Sequence, residues 1–307
     1  MKAFILGMMT TLAAAWPTIG HAAEADSLAQ VKTVFIILME NHNWEDIKGS
    51  NKAPYINSLL KEGASSDYYY NPVSLHPSEP NYVWLIAGDN HGIRDDAEPA
   101  VNGLRGVPNI ATQLTAKGIA WKTYQENIDG KSCPLKSNMP YAAKHNPFVF
   151  FDNLTDGFAA DSASCIAHNR PFEELKSDLA AGSVARYVFI TPNMCNDMHG
   201  NRYCNANIEG YDKVGQGDAW LGRVVPMIQQ SAAYKDNGVI FITWDESEGR
   251  AEKPIGLIAL SPLAKAGYVD HQDLFTHSAL LRTTEDIFHL DPLGDAAKSK
   301  NLQGLFK

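Results

Sequence analysis

The sequence predicts an α/β fold with a mainly parallel central sheet and helices on both faces, and three observations predict it. Short apolar runs recur along the chain, helical patterns fill the intervals between them, and the composition is that of an ordinary globular protein. Of the 307 residues, 45% are hydrophobic and 20% charged, which excludes a disordered chain.

The apolar runs are Val34–Met39, Ile119–Tyr124, Tyr187–Thr191, Val239–Trp244 and Ile255–Leu260. Each is rich in β-branched or aromatic residues, as a strand buried on both faces requires. Between them helices are expected from Ala53 to Lys61, Pro108 to Lys117, Pro171 to Ala181, Asp218 to Gln230 and Ser278 to His289. Proline in a first turn and glycine after a last one, as at Pro108 and Gly118, are the start and stop signals. The stretch from Gln125 to His168 has no clear period and reads as a long excursion from the same domain. No fixed-period repeat or low-complexity tract interrupts the pattern.

The first 23 residues depart from that composition. Lys2 is their only formal charge, an apolar stretch from Ala3 to Trp16 follows, and Gly20-His21-Ala22-Ala23 supplies small residues for cleavage. This is the layout of a secretory signal peptide, and its apolar part is too short to span a bilayer. Export to the periplasm or medium is therefore expected, with residues 24–307 as one catalytic domain. Removing Lys2 takes the formal charge from −9 to −10. So acidic a chain argues against nonspecific nucleic-acid binding, and no later segment is apolar enough to cross a membrane. No obligate protein partner is evident. The four cysteines suit an exported protein with two disulfides, and four cysteines allow three pairings. Cys133–Cys165 and Cys195–Cys204 are favoured because each closes a loop between expected core elements. A zinc cluster is the alternative, but no C-x2-C pair occurs.

In open α/β sheets ligands collect at the carboxyl ends of strands, and three of the expected strands end in polar clusters. The first delivers Glu40-Asn41, followed by His42 and Asn43, which carry no assignment beyond shaping the loop. The strand Val239–Trp244 delivers Asp245-Glu246. The strand Tyr187–Thr191 runs into "PNMCNDMHG", with Asn196, Asp197 and His199. Carboxylates and amides without a free thiolate suit a hard divalent cation such as Mg2+, Ca2+ or Mn2+, and Zn2+ also accepts them. Without a cation, crowded acids would repel one another and hold their protons more tightly. Any one cluster alone reads as a helix cap or a solvated loop; their repetition at strand ends points to a site.

A fourth piece is "SLHPSEPNYVWLIAG", residues 74–88. Ser78 precedes Pro80 and a helix through Tyr82 and Ile86, which places its hydroxyl at or beside an N-cap. It is either that cap or a nucleophile, and the positive end of the helix favours a phosphate beside it. Asn81 could donate to a phosphoryl oxygen, while His76 and His91 flank the segment. No G-x-S-x-G elbow surrounds Ser78, which argues against a lipase-type triad.

Taken in order, "ENHNWEDIKG", "HPSEPNY", "KHNPFVFFDN", "TPNMCNDMHG", "GDAWL" and "TWDESEG" resemble the phosphoesterase family of secreted acid phosphatases and phospholipases C, within the alkaline-phosphatase-like superfamily. The resemblance runs from about Val34 to Leu290. It implies a three-layer α/β/α sandwich, a metal held by Glu40, Asn41, Asp245 and Glu246, and Ser78 as the hydroxyl nucleophile and a further metal ligand. It also makes His199 and His145 candidates to contact the phosphoryl group or protonate the leaving oxygen, with His277 as a late active-site histidine. Two-zinc members of the superfamily have an Asp-His pair where this chain has Asp245-Glu246, which leaves the number and identity of the metals open. The expected function is hydrolysis of phosphate monoesters, on a small molecule or a lipid headgroup, through a phosphoserine intermediate. A phospholipase C-type phosphodiesterase and a noncatalytic periplasmic binding protein for phosphate esters are the alternatives.

Overall fold

Seven consecutive residues, Thr33–Met39, form strand β1, and every one of them is buried. Neighbouring side chains of a strand point to opposite faces, so β1 has protein on both sides. The same holds for Gly238–Trp244, which forms β7 beside it. The computed structural model describes residue 1, residues 27–202, residue 204, residues 212–249 and residues 251–307. Apart from Met1, the expected leader lies outside the described residues.

The remaining strands are β2 (Ala64–Ser66), β3 (Tyr69–Tyr70), β4 (Trp121–Gln125), β5 (Asn169–Pro171), β6 (Tyr187–Thr191), β8 (Leu257–Leu260), β9 (Val269–Asp270) and β10 (Phe275–Thr276). Eight of the ten form one sheet in the order β5-β4-β6-β1-β7-β8-β2-β9, while β3 and β10 pair separately. From β5 to β7 all neighbours are parallel, with Phe35 of β1 opposite Val188 of β6 and Ile240 of β7. β8 runs antiparallel to both β7 and β2. The sheet is thus the mainly parallel one expected, with one reversed strand. That strand starts two residues later than the apolar run, because the amides of Ile255 and Gly256 donate to the Tyr69 carbonyl and Gly256 takes a positive φ of 73°.

Helices cover both faces. Pro54–Glu62 packs against Lys213–Gln229, and Ser78–Ala87 against His277–Phe288. The expected helix from Asp218 begins earlier, at Lys213, because the Asp212 carboxylate accepts the amides of Val214 and Gly215 at 3.0 and 3.2 Å. The helix expected from Pro171 starts at Glu173 instead, since residues 169–171 are taken up as β5. The excursion after β4 is built from short 3-10 turns and a six-residue α-helix, Ala163–His168, and is tied by the Cys133–Cys165 disulfide. Cys195–Cys204 forms the second bond, so both favoured pairings are present.

Candidate active site

The parallel strands bring their carboxyl ends to one edge, and the expected residues meet there. Glu40 follows β1, Asp245 and Glu246 follow β7, and Asp197 closes the loop after β6. These loops are locked together by backbone: the Glu40 amide donates to the Asp197 carbonyl at 2.8 Å, and the Asp245 amide to the Met39 carbonyl at 3.0 Å. All four carboxylates are buried, Glu246 being the most exposed at 4%.

Ser78 is the first residue of its helix, and Pro77 occupies the N-cap position. Its side chain makes no capping bond; Oγ donates instead to Glu40 Oε2 at 3.2 Å. The capping role falls to Asp96, whose Oδ1 accepts the Glu79 amide at 3.0 Å. Ser78 is therefore a buried hydroxyl directed into the carboxylate cluster.

Asn41 is oriented from both ends. Its amide N–H donates to Asp245 Oδ1 at 2.9 Å, and its Nδ2 donates to Glu246 Oε1 at 2.7 Å. With the side-chain nitrogen committed, Oδ1 is the atom left over, and it has no hydrogen-bond partner. Glu246 holds the other side of this arrangement: Oε2 accepts from Asn81 Nδ2 at 3.2 Å and stands 2.7 Å from His76 Nδ1. Asn81 Nδ2 also donates to the Leu75 and Pro77 carbonyls at 2.9 and 3.1 Å. The nitrogen expected to reach a phosphoryl oxygen is thus committed inside the protein.

The histidines divide by geometry. His145 stands between two acids, with Nε2 3.1 Å from Glu40 Oε1 and Nδ1 3.3 Å from Asp197 Oδ2, and it stacks on Tyr82 with ring centroids 5.0 Å apart. His199 is half-buried; its Nδ1 lies 2.8 Å from the Gly200 carbonyl, so in the neutral ring that nitrogen carries the proton. Its amide donates to Asp197 Oδ1 at 2.8 Å. His277 is wholly buried, and both its nitrogens are engaged, Nε2 with the Asp245 carbonyl at 2.6 Å and Nδ1 with the Tyr69 hydroxyl at 3.1 Å. In this arrangement it braces the loop that carries Asp245.

Burial dominates the electrostatics. It raises the pKa of Glu40, Asp197 and Asp245 well above the carboxylate range, and mutual repulsion adds to the rise. It lowers His145 and His199, and takes His277 down to about 4. Among the described residues no three His, Cys, Asp or Glu side chains are already arranged to hold an ion. A mixed oxygen set is nonetheless left without hydrogen-bond partners: Glu40 Oε1, Asn41 Oδ1 and Asp245 Oδ2. Buried oxygens are normally paired, and hard-cation chemistry suits these three with Ser78 Oγ beside them. Next to the site, a cavity of about 600 Å³ opens between His42, Lys48, Lys52, Lys213 and Glu248.

Three participants carry little sequence signal: His76, which contacts Glu246; Asp96, which caps the Ser78 helix; and Lys144, which pairs with Asp96. His76 and Lys144 are marked only as the first letters of "HPSEPNY" and "KHNPFVFFDN", and Asp96 lies in neither.

Comparison with known proteins bears on the family and the fold. Residues 49–291 match the model of the phosphoesterase family. The chain is 28% identical over 300 residues to a phosphatidylinositol-3-phosphatase of Mycobacterium tuberculosis, covering 96% of this chain and 90% of that protein. It is 27% identical over 260 residues to a probable acid phosphatase of Kluyveromyces lactis, covering 80% of this chain and 56% of the yeast protein. Among solved structures, a phosphonate monoester hydrolase from Silicibacter pomeroyi superposes with a TM-score of 0.58 at 14% identity, over 90% of this chain and 76% of that one. A murine ectonucleotide pyrophosphatase/phosphodiesterase gives 0.58 at 12% identity, over 90% and 100%. These two likenesses bear on the fold alone.

Proposed function

This chain belongs to the phosphoesterase family, and on that premise we propose that it is a secreted, metal-dependent acid phosphatase that hydrolyses phosphate monoesters through an intermediate on Ser78. The observation that carries the proposal is Ser78 itself, a buried hydroxyl at a helix start that is directed at Glu40 and makes no cap. The phosphatase names of the relatives support the activity. The mycobacterial relative covers most of the chain and makes an inositol-lipid headgroup a substrate class worth testing first. The leader-like residues 1–23 and the two disulfides support export.

Glu40, Asn41, Asp245 and Ser78 are the residues that would hold the cation: the first three each have a buried oxygen without a hydrogen-bond partner, and Ser78 Oγ is directed at Glu40. Glu246 fixes Asn41 so that its carbonyl oxygen faces the cluster; to ligate as well, it would give up one of its present bonds. A bound divalent cation supplies Lewis acidity and neutralises charge on the phosphoryl oxygens. In the reaction, the bond from Ser78 Oγ to phosphorus forms as the bond to the leaving alcohol breaks. The hydroxyl proton has Glu40 Oε2 as its acceptor, 3.2 Å away. The leaving oxygen takes a proton from the imidazolium form of His199, in which Nε2, the nitrogen not committed to Gly200, also carries an N–H. Water then gives a proton back to His199 Nε2 and displaces Ser78, whose oxygen recovers its proton from Glu40, and inorganic phosphate departs. His145 keeps Glu40 and Asp197 apart and in place.

The test is Ser78→Ala, assayed on p-nitrophenyl phosphate and on bis(p-nitrophenyl) phosphate with each divalent metal. Turnover should vanish while metal binding, followed by calorimetry, persists. Near-normal turnover in that variant would sink the nucleophile assignment. Faster wild-type hydrolysis of the diester would convert the proposal to a phosphodiesterase, and phosphate binding without turnover to a binding protein.

A further inference from the structure

Asp96 links two groups that the reaction above leaves unused. Its Oδ1 accepts the amide of Glu79, the residue after Ser78, at 3.0 Å, and its Oδ2 holds Lys144 Nζ at 2.7 Å. A single carboxylate spans both contacts, so the ammonium sits beside the first turn of the Ser78 helix. The backbone gives the same placement from the other side. Lys144 immediately precedes His145, whose Nε2 is 3.1 Å from Glu40 Oε1.

The Lys144 side chain is only 17% exposed. Its charge is felt by Glu40, Asp197, His145 and His199, and in return Glu40 and Asp245 hold its proton more tightly. An ammonium has three N–H donors, and Asp96 accepts one of them. A long lysine held on one point, largely withdrawn from water and tied through Asp96 to the first turn of the Ser78 helix, can pass a donor to a phosphoryl oxygen without releasing Asp96.

We propose that Lys144 is a phosphoryl-binding residue that sets the preference for monoesters over diesters, with Asp96 as its positioning residue. The inference rests on Ser78 being the point of attack. A monoester brings two negative charges to the site and a diester one, and attraction to a nearby fixed cation grows with that charge. A charge-assisted hydrogen bond in a water-poor site therefore favours the dianion over the monoanion. No covalent bond of Lys144 changes; it holds a nonbridging oxygen while the Ser78–phosphorus bond forms.

The experiment compares Lys144→Gln and Lys144→Arg with wild type in the full chain. The readouts are kcat/KM for p-nitrophenyl phosphate and bis(p-nitrophenyl) phosphate, the dissociation constant of inorganic phosphate, and Tm. Lys144→Gln should lower monoester kcat/KM roughly ten- to a hundredfold, as expected for losing a charge-assisted hydrogen bond. Diester kcat/KM should fall less than about threefold, and phosphate affinity should drop with the monoester value. Lys144→Arg, which keeps the charge, should restore most of the selectivity. Equal losses on both substrates, or an unchanged monoester rate and phosphate affinity, would overturn the inference. Ser78→Ala run beside them separates the two claims. If that variant keeps turning over, the nucleophile reading fails, and the effect of Lys144→Gln on phosphate affinity still decides the role of Lys144.

Discussion

The buried acids make a specific demand on the metal-free protein: its stability should fall as pH rises above neutrality. Glu40, Asp197 and Asp245 have pKa values raised in the fold by burial and by one another, so the folded state keeps protons that the unfolded chain has released. Each proton retained only in the fold lowers stability by about 1.4 kcal/mol per pH unit, until pH passes the folded pKa. The buried histidines act oppositely: their lowered pKa values add stability as pH rises, but that contribution is complete once the unfolded histidines are neutral, near pH 7. Above about pH 7 the acids are therefore read without a contribution from the histidines. Glu79, buried and raised to about 9, contributes to the same slope and is not one of the proposed ligands, so Glu79→Gln is the background to use. In that background, with chelator, one retained cluster proton should lower Tm by roughly 2 °C per pH unit for a chain of this size. A saturating divalent cation ionises the carboxylates and should flatten the slope. Thermal unfolding by circular dichroism at half-unit pH steps, with chelator and then with Mg2+, Ca2+, Mn2+ or Zn2+, reads both quantities. A Tm that stays level or rises with pH in chelator would refute the electrostatic account of the cluster. A slope that no cation alters would refute the placement of the ion among these acids.

Two further substitutions probe how the site is supported. Glu246→Gln replaces one carboxylate oxygen with an NH2 group, which accepts no hydrogen bond, so either Asn41 Nδ2 or Asn81 Nδ2 loses its acceptor there. Metal affinity measured by titration should fall roughly tenfold or more, as losses of such orienting bonds do, while Tm in chelator holds or rises. Gly256→Ala places a methyl group 2.2 Å from the Trp44 ring at a φ of 73°, so both packing and backbone oppose it. A loss of about 2–4 kcal/mol is expected in denaturant unfolding, since overpacking and a strained φ each contribute.

How much of this is legible in the sequence follows from where each piece of information resides. β1 and β7 can be read because both faces of each are covered, so their apolar residues run uninterrupted until Glu40 and Asp245 break the pattern. Both disulfides can be read because each closes a local loop, 32 and 9 residues in separation. The direction of β8 cannot be read, since an apolar run looks the same in either orientation. Nor can β3, β5, β9 or β10, strands of two or three residues defined by what they pair with and not by any period of their own. The site divides along the same line. The polar pairs after β1 and β7, and the serine before Pro80, declare themselves by interrupting a local pattern. What each atom does is fixed by partners far along the chain: Glu246 is 205 residues from Asn41 and 165 from Asn81. His277 shows the consequence. As a late histidine before a helix it reads as an acid catalyst, yet Tyr69 and the Asp245 carbonyl engage both its nitrogens. Residue type and position thus disclose which side chains assemble. Hydrogen-bond saturation decides which of them keep an atom for chemistry, and on that test Asn41 and Asp245, each with an unpartnered oxygen, differ from His277.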